Sequence, residues 1–143
     1  IITKSTSTIQ KNIADTATIH MEFKSGLKSH ISVSWLHPYK EHKLVVSGKS
    51  AMLVFDDTKP WNEKLALYPY EVVSSKGIIN LKKSDIKYLK VSEEEPLKNE
   101  CQDFIDVVEK NIKPMTDGDE GLRVVKVLSA ASKSKTINEV VKL

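Results

Sequence analysis

The amino-acid sequence predicts an α+β fold, a large and mostly antiparallel open-faced sheet with helices packed on one face. In the first two thirds of the 143 residues, apolar and polar side chains alternate with the period of a strand that has one buried face. Short turns join these segments, which favours antiparallel pairing, because a parallel pair needs a crossover of about a dozen residues. From Pro96 onward the apolar residues recur at helical spacing instead.

The first two predicted strands form a hairpin around a turn at Gly26. Their polar faces carry His20 and His30, which approach each other if the strands pair. A zinc site needs about three or four convergent ligands, and no cysteine or carboxylate cluster completes one. We therefore interpret both imidazoles as solvated or hydrogen-bonded and expect no metal. The inward-facing residues of the hairpin are Ala17, Ile19, Met21, Phe23, Ile31, Val33 and Trp35.

After the HPYKE break, HKLVVSG and SAMLVFDD predict a second strand pair around Gly48. KPWNE is a polar turn that leads into KLALYPY, a further strand. EVVSSKGIINLK and IKYLKVS are weaker strand candidates. Pro69 is expected only at an edge strand or a strand end, since it cannot donate to a ladder.

Two helices follow. Pro96 suits the first turn of a helix, and Cys101 on its apolar face is expected to be a small buried hydrophobe. Asp117 or Asp119 caps the second helix, and TINEVVKL predicts a short final strand. The apolar stripes are Leu97, Cys101, Phe104, Ile105, Val108 and Ile112 in the first helix, and Leu122, Val125, Leu128 and Ala131 in the second.

The length, charge and composition of the chain exclude several classes of function. A length of 143 residues predicts one domain spanning 1–143, and a net charge of +3 without a dense basic stripe argues against nucleic acid as a partner. No apolar run is long enough for a membrane span, and a single cysteine fits a reducing cytoplasm. Because the chain opens at Ile1 rather than Met, we expect it to be a piece of a longer protein.

Motifs for chemistry are missing. The five glycines form neither G-x-G-x-x-G nor a P-loop. DGDEG lacks the spacing of a calcium loop and is interpreted as a helix cap. Asp56 and Asp57 are adjacent on a strand and point to opposite faces, so they are poor candidates for a paired acid and base.

A longer pattern resembles a known family. SWLHPYKEHKLVVSGKSAMLVFDD, followed by KLALY, is similar to the carboxy-terminal domain of the Gfo/Idh/MocA oxidoreductases, which carry a comparable Ser-Trp-x-x-Pro-x-Lys run, an apolar strand, a glycine and Phe-Asp-Asp. The similarity is closest to the NAD-dependent nucleotide-sugar dehydrogenases acting on UDP-N-acetylglucosaminuronic acid and similar sugars. ADTATIHMEFKSGLKSHISVSW and EEPLKNECQDFIDVVEKNIKPMTDGDEGLRVVKVLSAASKS also fit, so the resemblance covers nearly the whole chain.

The family's catalytic parts are not in this sequence. Its amino-terminal Rossmann domain, its Glu-Lys-Pro motif with a catalytic lysine, and its helix bearing an aspartate and a histidine all lack a counterpart here. Lys113-Pro114 lies between the two terminal helices and is not that motif. The resemblance therefore implies no catalytic residue and no cofactor bound by this chain, with NAD or NADP implied for the full-length protein.

The resemblance implies a substrate-binding and oligomerisation domain of an NAD(P)-dependent oxidoreductase that transfers a hydride from a sugar or nucleotide sugar. Its expected partners are its own Rossmann domain, the sugar, and further copies bound through the sheet face. We expect Trp35, His37, Lys40 and His42 to contact the substrate, with lysine suited to a carboxylate or diphosphate and tryptophan to stacking. The alternative for these residues is that Trp35 belongs to the core and Lys40 is merely solvated. The alternative for the whole chain is a non-enzymatic dimeric scaffold or small-ligand-binding domain.

Overall fold

The computed structural model describes residues 1–75 and 77–143 and confirms the α+β class. All strand pairs in this part of the chain are antiparallel, as the short turns predict. The strands lie in two sheets, of three and five strands, whereas the sequence predicts a single large one. The chain forms two compact units: unit 1 contains Ile1–His37 and Asn99–Leu143, and unit 2 contains Pro38–Lys98.

Unit 1 is built on a three-stranded sheet in the order β1-β2-β3, with β1 at Ile2–Thr6, β2 at Thr16–Glu22 and β3 at Lys28–Ser34. The predicted hairpin of β2 and β3 is confirmed. Gly26 has a φ of 85°, which a glycine adopts without a steric penalty, and its N–H donates to the carbonyl of Phe23. The pairing register then places His20 directly opposite His30.

Helix α2, Gly118–Ile137, packs against β1 through small side chains. Asp117 caps it by accepting a hydrogen bond from the Glu120 N–H, which decides between the two predicted caps. The predicted inner stripe is wrong for three of its four members: Ala131 is buried, whereas Leu122, Val125 and Leu128 are each half exposed or more. The buried residues of this helix are Ala130, Ala131 and Ser134, all in its carboxy-terminal half, where small side chains permit a close approach to β1.

Ser134 is fully buried and joins three parts of unit 1. Its Oγ accepts a hydrogen bond of 3.0 Å from the Thr3 N–H and donates one of 2.6 Å to the Glu139 carbonyl. The Thr3 N–H belongs to a strand at the edge of the sheet, where backbone groups lack a strand partner on one side. Ser134 therefore gives the buried Thr3 N–H a hydrogen-bond acceptor where α2 covers the edge of the sheet.

The predicted strand at TINEVVKL is wrong. Helix α2 continues through Ile137 and ends at Asn138, whose φ of 60° is the left-handed conformation that terminates many helices. Beyond it, Val141 exchanges two backbone hydrogen bonds with Ile1, of 2.8 and 2.9 Å. The expected strand is thus reduced to one hydrogen-bonded pair, Ile1 and Val141, beside β1, because α2 and its cap take up the first three of its eight residues.

Helix α1, Pro96–Lys110, begins where the sequence predicts and ends before Ile112. Its apolar stripe is not covered by the described residues: Phe104 and Val108 are largely exposed, and no residue of the helix is buried. Cys101 is therefore exposed, and the prediction that it is buried is wrong. Helical periodicity identifies an apolar face, but it does not say whether another element covers that face.

Unit 2 is a five-stranded sheet. Its path runs in the order β4 (Lys43–Ser47), β5 (Ala51–Asp56), β6 (Leu65–Ser75) and β7 (Ile78–Lys83), and a short β8 (Lys87–Tyr88) also pairs with β6. A single 3₁₀ turn at Trp61–Glu63 precedes β6. KLALYPY and EVVSS form one long strand, and IKYLKVS contributes only two residues to the sheet.

Pro69 lies inside β6, contrary to the expectation of an edge or a strand end. The Tyr70 N–H donates to Ser50 on the β5 side, whereas the Pro69 carbonyl accepts from the Ser84 N–H on the opposite side. The N–H that proline lacks would face that same side, toward Ser84, just beyond the Tyr70↔Lys83 pair at the end of the β6–β7 ladder. The proline therefore forfeits only the reciprocal hydrogen bond at the end of this ladder, while β6 stays paired with β5 on its other side.

The two faces of this sheet differ in polarity, because cross-strand partners share a face. One face, called the apolar face below, consists of Leu44, Val46, Leu53, Phe55, Leu65 and Leu67. Leu44 is 62% exposed and Val46 is 53% exposed. The opposite face mixes charged residues with tyrosines and surrounds a shallow pocket.

Candidate functional site

Asp57 is the centre of a charged cluster at the end of the β4–β5 ladder. Its backbone N–H donates to the His42 carbonyl over 3.0 Å, which extends the pairing of the two strands beyond β4. Its carboxylate lies 2.7 Å from Lys64 Nζ, 3.0 Å from Lys40 Nζ and 3.6 Å from His42 Nδ1. Two of the predicted contact residues, Lys40 and His42, are thus brought together.

The cationic side chains around Asp57 differ in their exposure and in how strongly they lower its pKa. Hydrogen bonds from Lys64, and then from Lys40, hold the pKa of Asp57 well below its ordinary value. Lys64 is only 13% exposed, whereas Lys40 and His42 are each more than 70% exposed. Two ammonium groups share one carboxylate, so the cluster has a net positive charge with its more accessible ammonium on Lys40.

The sequence did not identify Lys64 as a member of this cluster. It follows the 3₁₀ turn, and its carbonyl accepts a hydrogen bond from the Asp56 N–H at the start of the β5–β6 ladder. Its Nζ also lies 4.3 Å from the ring centroid of Trp61, a cation–π contact. The available signal was the WNEK run, in which a turn returns a lysine to the strand end beside Asp57.

Trp35 is not a core residue, because its side chain is 87% exposed. It lies one residue beyond β3, and its N–H donates to the carbonyl of Asp15 over 2.8 Å. It lines a shallow pocket of about 310 Å³ together with segments of β2 and β3. Trp35 belongs to unit 1, as does the exposed His37, whereas Lys40 and His42 belong to unit 2.

Asp15 explains the local shape around Trp35. This buried carboxylate accepts hydrogen bonds from the backbone N–H groups of Thr8 and Ile9, the latter over 2.8 Å. It thereby holds the loop between β1 and β2. Because its side chain is occupied by backbone donors, we assign Asp15 a structural role.

A second pocket lies on the polar face of the unit 2 sheet and has a volume of about 380 Å³. Tyr68 and Tyr88 contribute aromatic surface, and Lys43 Nζ lies 3.4 Å from Asp56 Oδ2 at its rim. Aromatic faces flanked by charged hydrogen-bonding groups are the kind of lining that binds small polar ligands. The sequence did not predict this pocket, because its lining residues come from separate strands that only the fold brings together.

Asp56 and Asp57 have separate partners, as their opposite directions predict. Asp56 receives hydrogen bonds from Thr58, which chiefly lower the pKa of Asp56, and a further contribution comes from Lys43. The two carboxylates are therefore individually paired with hydroxyl or ammonium donors. The pair does not constitute an acid and base acting on one ligand.

Two kinds of feature are absent from residues 1–75 and 77–143. No group of three or more histidine, cysteine, aspartate or glutamate side chains converges on one point. None of the helices described is both long and apolar enough to cross a membrane.

Comparison of the chain with protein-family models, with curated proteins and with solved structures finds no match. The class that the observations define is an α+β chain with antiparallel sheets and an aspartate-centred cationic cluster. The resemblance to the Gfo/Idh/MocA oxidoreductases stays a prediction.

Proposed function

We propose that this chain is the substrate-binding and oligomerisation domain of a cytoplasmic NAD(P)-dependent oxidoreductase that acts on a sugar or nucleotide sugar. The observation that carries the proposal is the position of the cationic cluster. Lys40 and His42 lie in the same stretch, SWLHPYKEHKLVVSG, on which the family resemblance depends. They converge with Lys64 on Asp57 at one end of an antiparallel sheet.

The cluster suits an anionic substrate. Lys40 is held by one exposed ion pair, and such pairs contribute about 0–1 kcal/mol. A sugar carboxylate or diphosphate can therefore take the place of Asp57 as the partner of Lys40 at little cost. Lys64, which is nearly covered, remains with Asp57 and keeps the carboxylate in place.

The redox step belongs to the rest of the proposed enzyme. In the full-length protein, NAD or NADP bound to an amino-terminal Rossmann domain accepts a hydride from a sugar carbon, and the protein orients the sugar for that transfer. This chain contributes no nucleotide-binding motif to that step, and on its own it is expected to be inactive. Its contribution is to bind the sugar's anionic part.

The alternative is a non-enzymatic dimeric scaffold or small-ligand-binding domain. The complete coding sequence distinguishes the oxidoreductase domain from this non-enzymatic alternative. A preceding segment of about one domain's length with G-x-G-x-x-G and Glu-Lys-Pro motifs is expected for the oxidoreductase. A coding sequence without those motifs overturns the proposal.

We expect Lys40→Ala in the full-length protein to weaken binding of UDP-N-acetylglucosaminuronic acid about 10- to 100-fold, because a hydrogen bond to a charged group is lost. Isothermal titration calorimetry in the presence of NAD measures this change. Lys49→Ala is the matched control, since Lys49 is an exposed lysine in the β4–β5 turn. Equal affinities of the wild-type and Lys40→Ala proteins would remove Lys40 from the site.

The apolar face is the proposed oligomer interface, since exposed apolar sheet surface of this kind marks a contact between subunits. We expect Val46→Lys to convert the oligomer to a monomer in sedimentation velocity, because a charge would be buried in the contact. Val45→Lys is the control, because Val45 has a similar exposure and lies on the opposite face of β4. A monomeric wild-type protein at high concentration, or equal behaviour of the two variants, contradicts this interface.

A further inference from the structure

His20 and His30 form a cross-strand pair on the exposed polar face of the unit 1 sheet. Their Nδ1 atoms are 3.2 Å apart, and their rings meet edge to face with centroids 4.4 Å apart. The residues are exact partners in the β2–β3 register, between Thr18↔Ser32 and Glu22↔Lys28. The backbone ladder on both sides therefore fixes the separation of the two side chains.

The nitrogen separation matches that of two ligands bound to one metal ion. At Zn–N distances of about 2.0–2.1 Å, two nitrogen ligands lie about 3.3–3.4 Å apart at a tetrahedral angle and about 2.9 Å apart at a right angle. The observed 3.2 Å lies between these values. Two imidazoles on opposite strands thus already have the spacing that an ion requires, before any movement of the backbone.

A metal ion can also replace the hydrogen bond between the two imidazoles without changing the charge of either ring. When two neutral imidazoles share a hydrogen bond through Nδ1, one nitrogen donates and the other accepts. If the donor ring shifts its proton from Nδ1 to Nε2, both Nδ1 lone pairs become available and both rings stay neutral. A metal ion can then replace the shared hydrogen, and each Nε2–H can donate to water.

We infer that His20 and His30 form a two-ligand site for a late divalent transition metal ion, with water completing the coordination. Imidazole nitrogen suits Cu²⁺, Ni²⁺ and Zn²⁺, whereas Mg²⁺ and Ca²⁺ prefer oxygen. Glu22, the next residue on this face of β2, is engaged with Lys28 over 3.5 Å. Two ligands and open positions make the site an exchangeable one, distinct from a closed structural zinc site.

This site shares no residue with the proposed sugar site. It lies on β2 and β3 of unit 1, whereas the Asp57 cluster lies in unit 2. The inference therefore does not depend on the proposed function, and each can fail without the other. The metal also bridges adjacent strands, so binding is expected to raise the Tm of unit 1 by mass action.

The test is calorimetric titration of tag-free protein with Zn²⁺, Ni²⁺ and Cu²⁺ chlorides at neutral pH, with Mg²⁺ as the negative control. We expect one ion per chain, tightest for Cu²⁺ as in the general order of stability. His20→Asn and His30→Asn are each expected to weaken binding at least about 10-fold, and the double variant to abolish it. His37→Asn and His42→Asn, the chain's other two histidines, should leave the affinity unchanged.

A second readout locates the ion. Zn²⁺ should shift the ring NMR signals of His20 and His30 and not those of His37 or His42, and acidification should reverse the shift, because protons compete for the nitrogens. His20 and His30 are both exposed, so circular dichroism should show that their variants remain folded. Unchanged metal affinity in folded His20→Asn and His30→Asn variants, or ring shifts confined to other histidines, overturns the inference.

Discussion

Replacement of Ser134 by leucine is expected to lower the free energy of unfolding of unit 1 by at least about 3 kcal/mol. Ser134 has no exposed surface, so the larger side chain must displace β1 or α2. The substitution also removes the hydroxyl that accepts from the Thr3 N–H and donates to the Glu139 carbonyl. Overpacking and unsatisfied backbone groups therefore act together.

Two further variants separate these causes. Ser134→Ala removes the hydroxyl without adding volume and should cost about 1–3 kcal/mol. Ser132→Ala is the control, because Ser132 is exposed on the same helix. Urea unfolding followed by circular dichroism at 222 nm reports unit 1, which contains all of α2. A Ser134→Ala protein as stable as Ser132→Ala would contradict the structural role of the hydroxyl.

Replacement of Asp57 by asparagine is expected to lower the Tm of unit 2 by several degrees at neutral pH. The nearly covered ammonium of Lys64 would lose its anionic partner, together with that of Lys40. Removing one member of an ion pair leaves the other charge uncompensated, and the penalty grows as that charge is screened less by water. High salt should reduce the Lys40 contribution more than the Lys64 contribution, because Lys40 is more exposed.

The effect should depend on pH in a defined direction. The folded-state pKa of Asp57 is lowered by Lys64 and Lys40, so ionised Asp57 stabilises the folded state above the pKa of the unfolded chain, about 3.9. This stabilisation is lost as the pH falls from there through the folded-state pKa. The difference between wild type and Asp57→Asn should therefore persist at pH 7 and 5 and shrink below about pH 4.

Tryptophan fluorescence can measure this prediction. The chain has two tryptophans, Trp35 in unit 1 and Trp61 in unit 2, so a Trp35→Phe background leaves Trp61 as the reporter of unit 2. Asp85→Asn, an exposed change in the same unit, is the control. A difference between wild type and Asp57→Asn that is equally large at pH 3 and pH 7 would exclude the ion pairs as its cause.

Much of the strand arrangement follows from local sequence. Period-two alternation and the glycine turns predict the β2–β3 and β4–β5 pairs, including the approach of His20 to His30. Side-chain chemistry also narrows the cap of α2 to Asp117 or Asp119, and the structure selects Asp117. These features depend on residues that are near one another in the chain or in a tight hairpin.

The errors concern contacts between distant elements. The burial of Cys101 and of the Leu122, Val125 and Leu128 stripe was inferred from helical periodicity, which does not specify what covers a helix. Small residues of α2 pack against β1 instead. The predicted substrate contacts of Trp35 and Lys40, which belong to different units, stay a prediction.

The paired hydrogen bonds between Ile1 and Val141 have a consequence for how this chain can be attached to others. They hold the entry and the exit of unit 1 at the same point beside β1. Adjacent ends are the arrangement that lets a folded module be inserted into a host sequence without stretching it. A neighbouring domain joined before Ile1 would therefore attach at the same location as one joined near Val141. Exchanging the order of the two domains along the chain would leave their point of attachment unchanged.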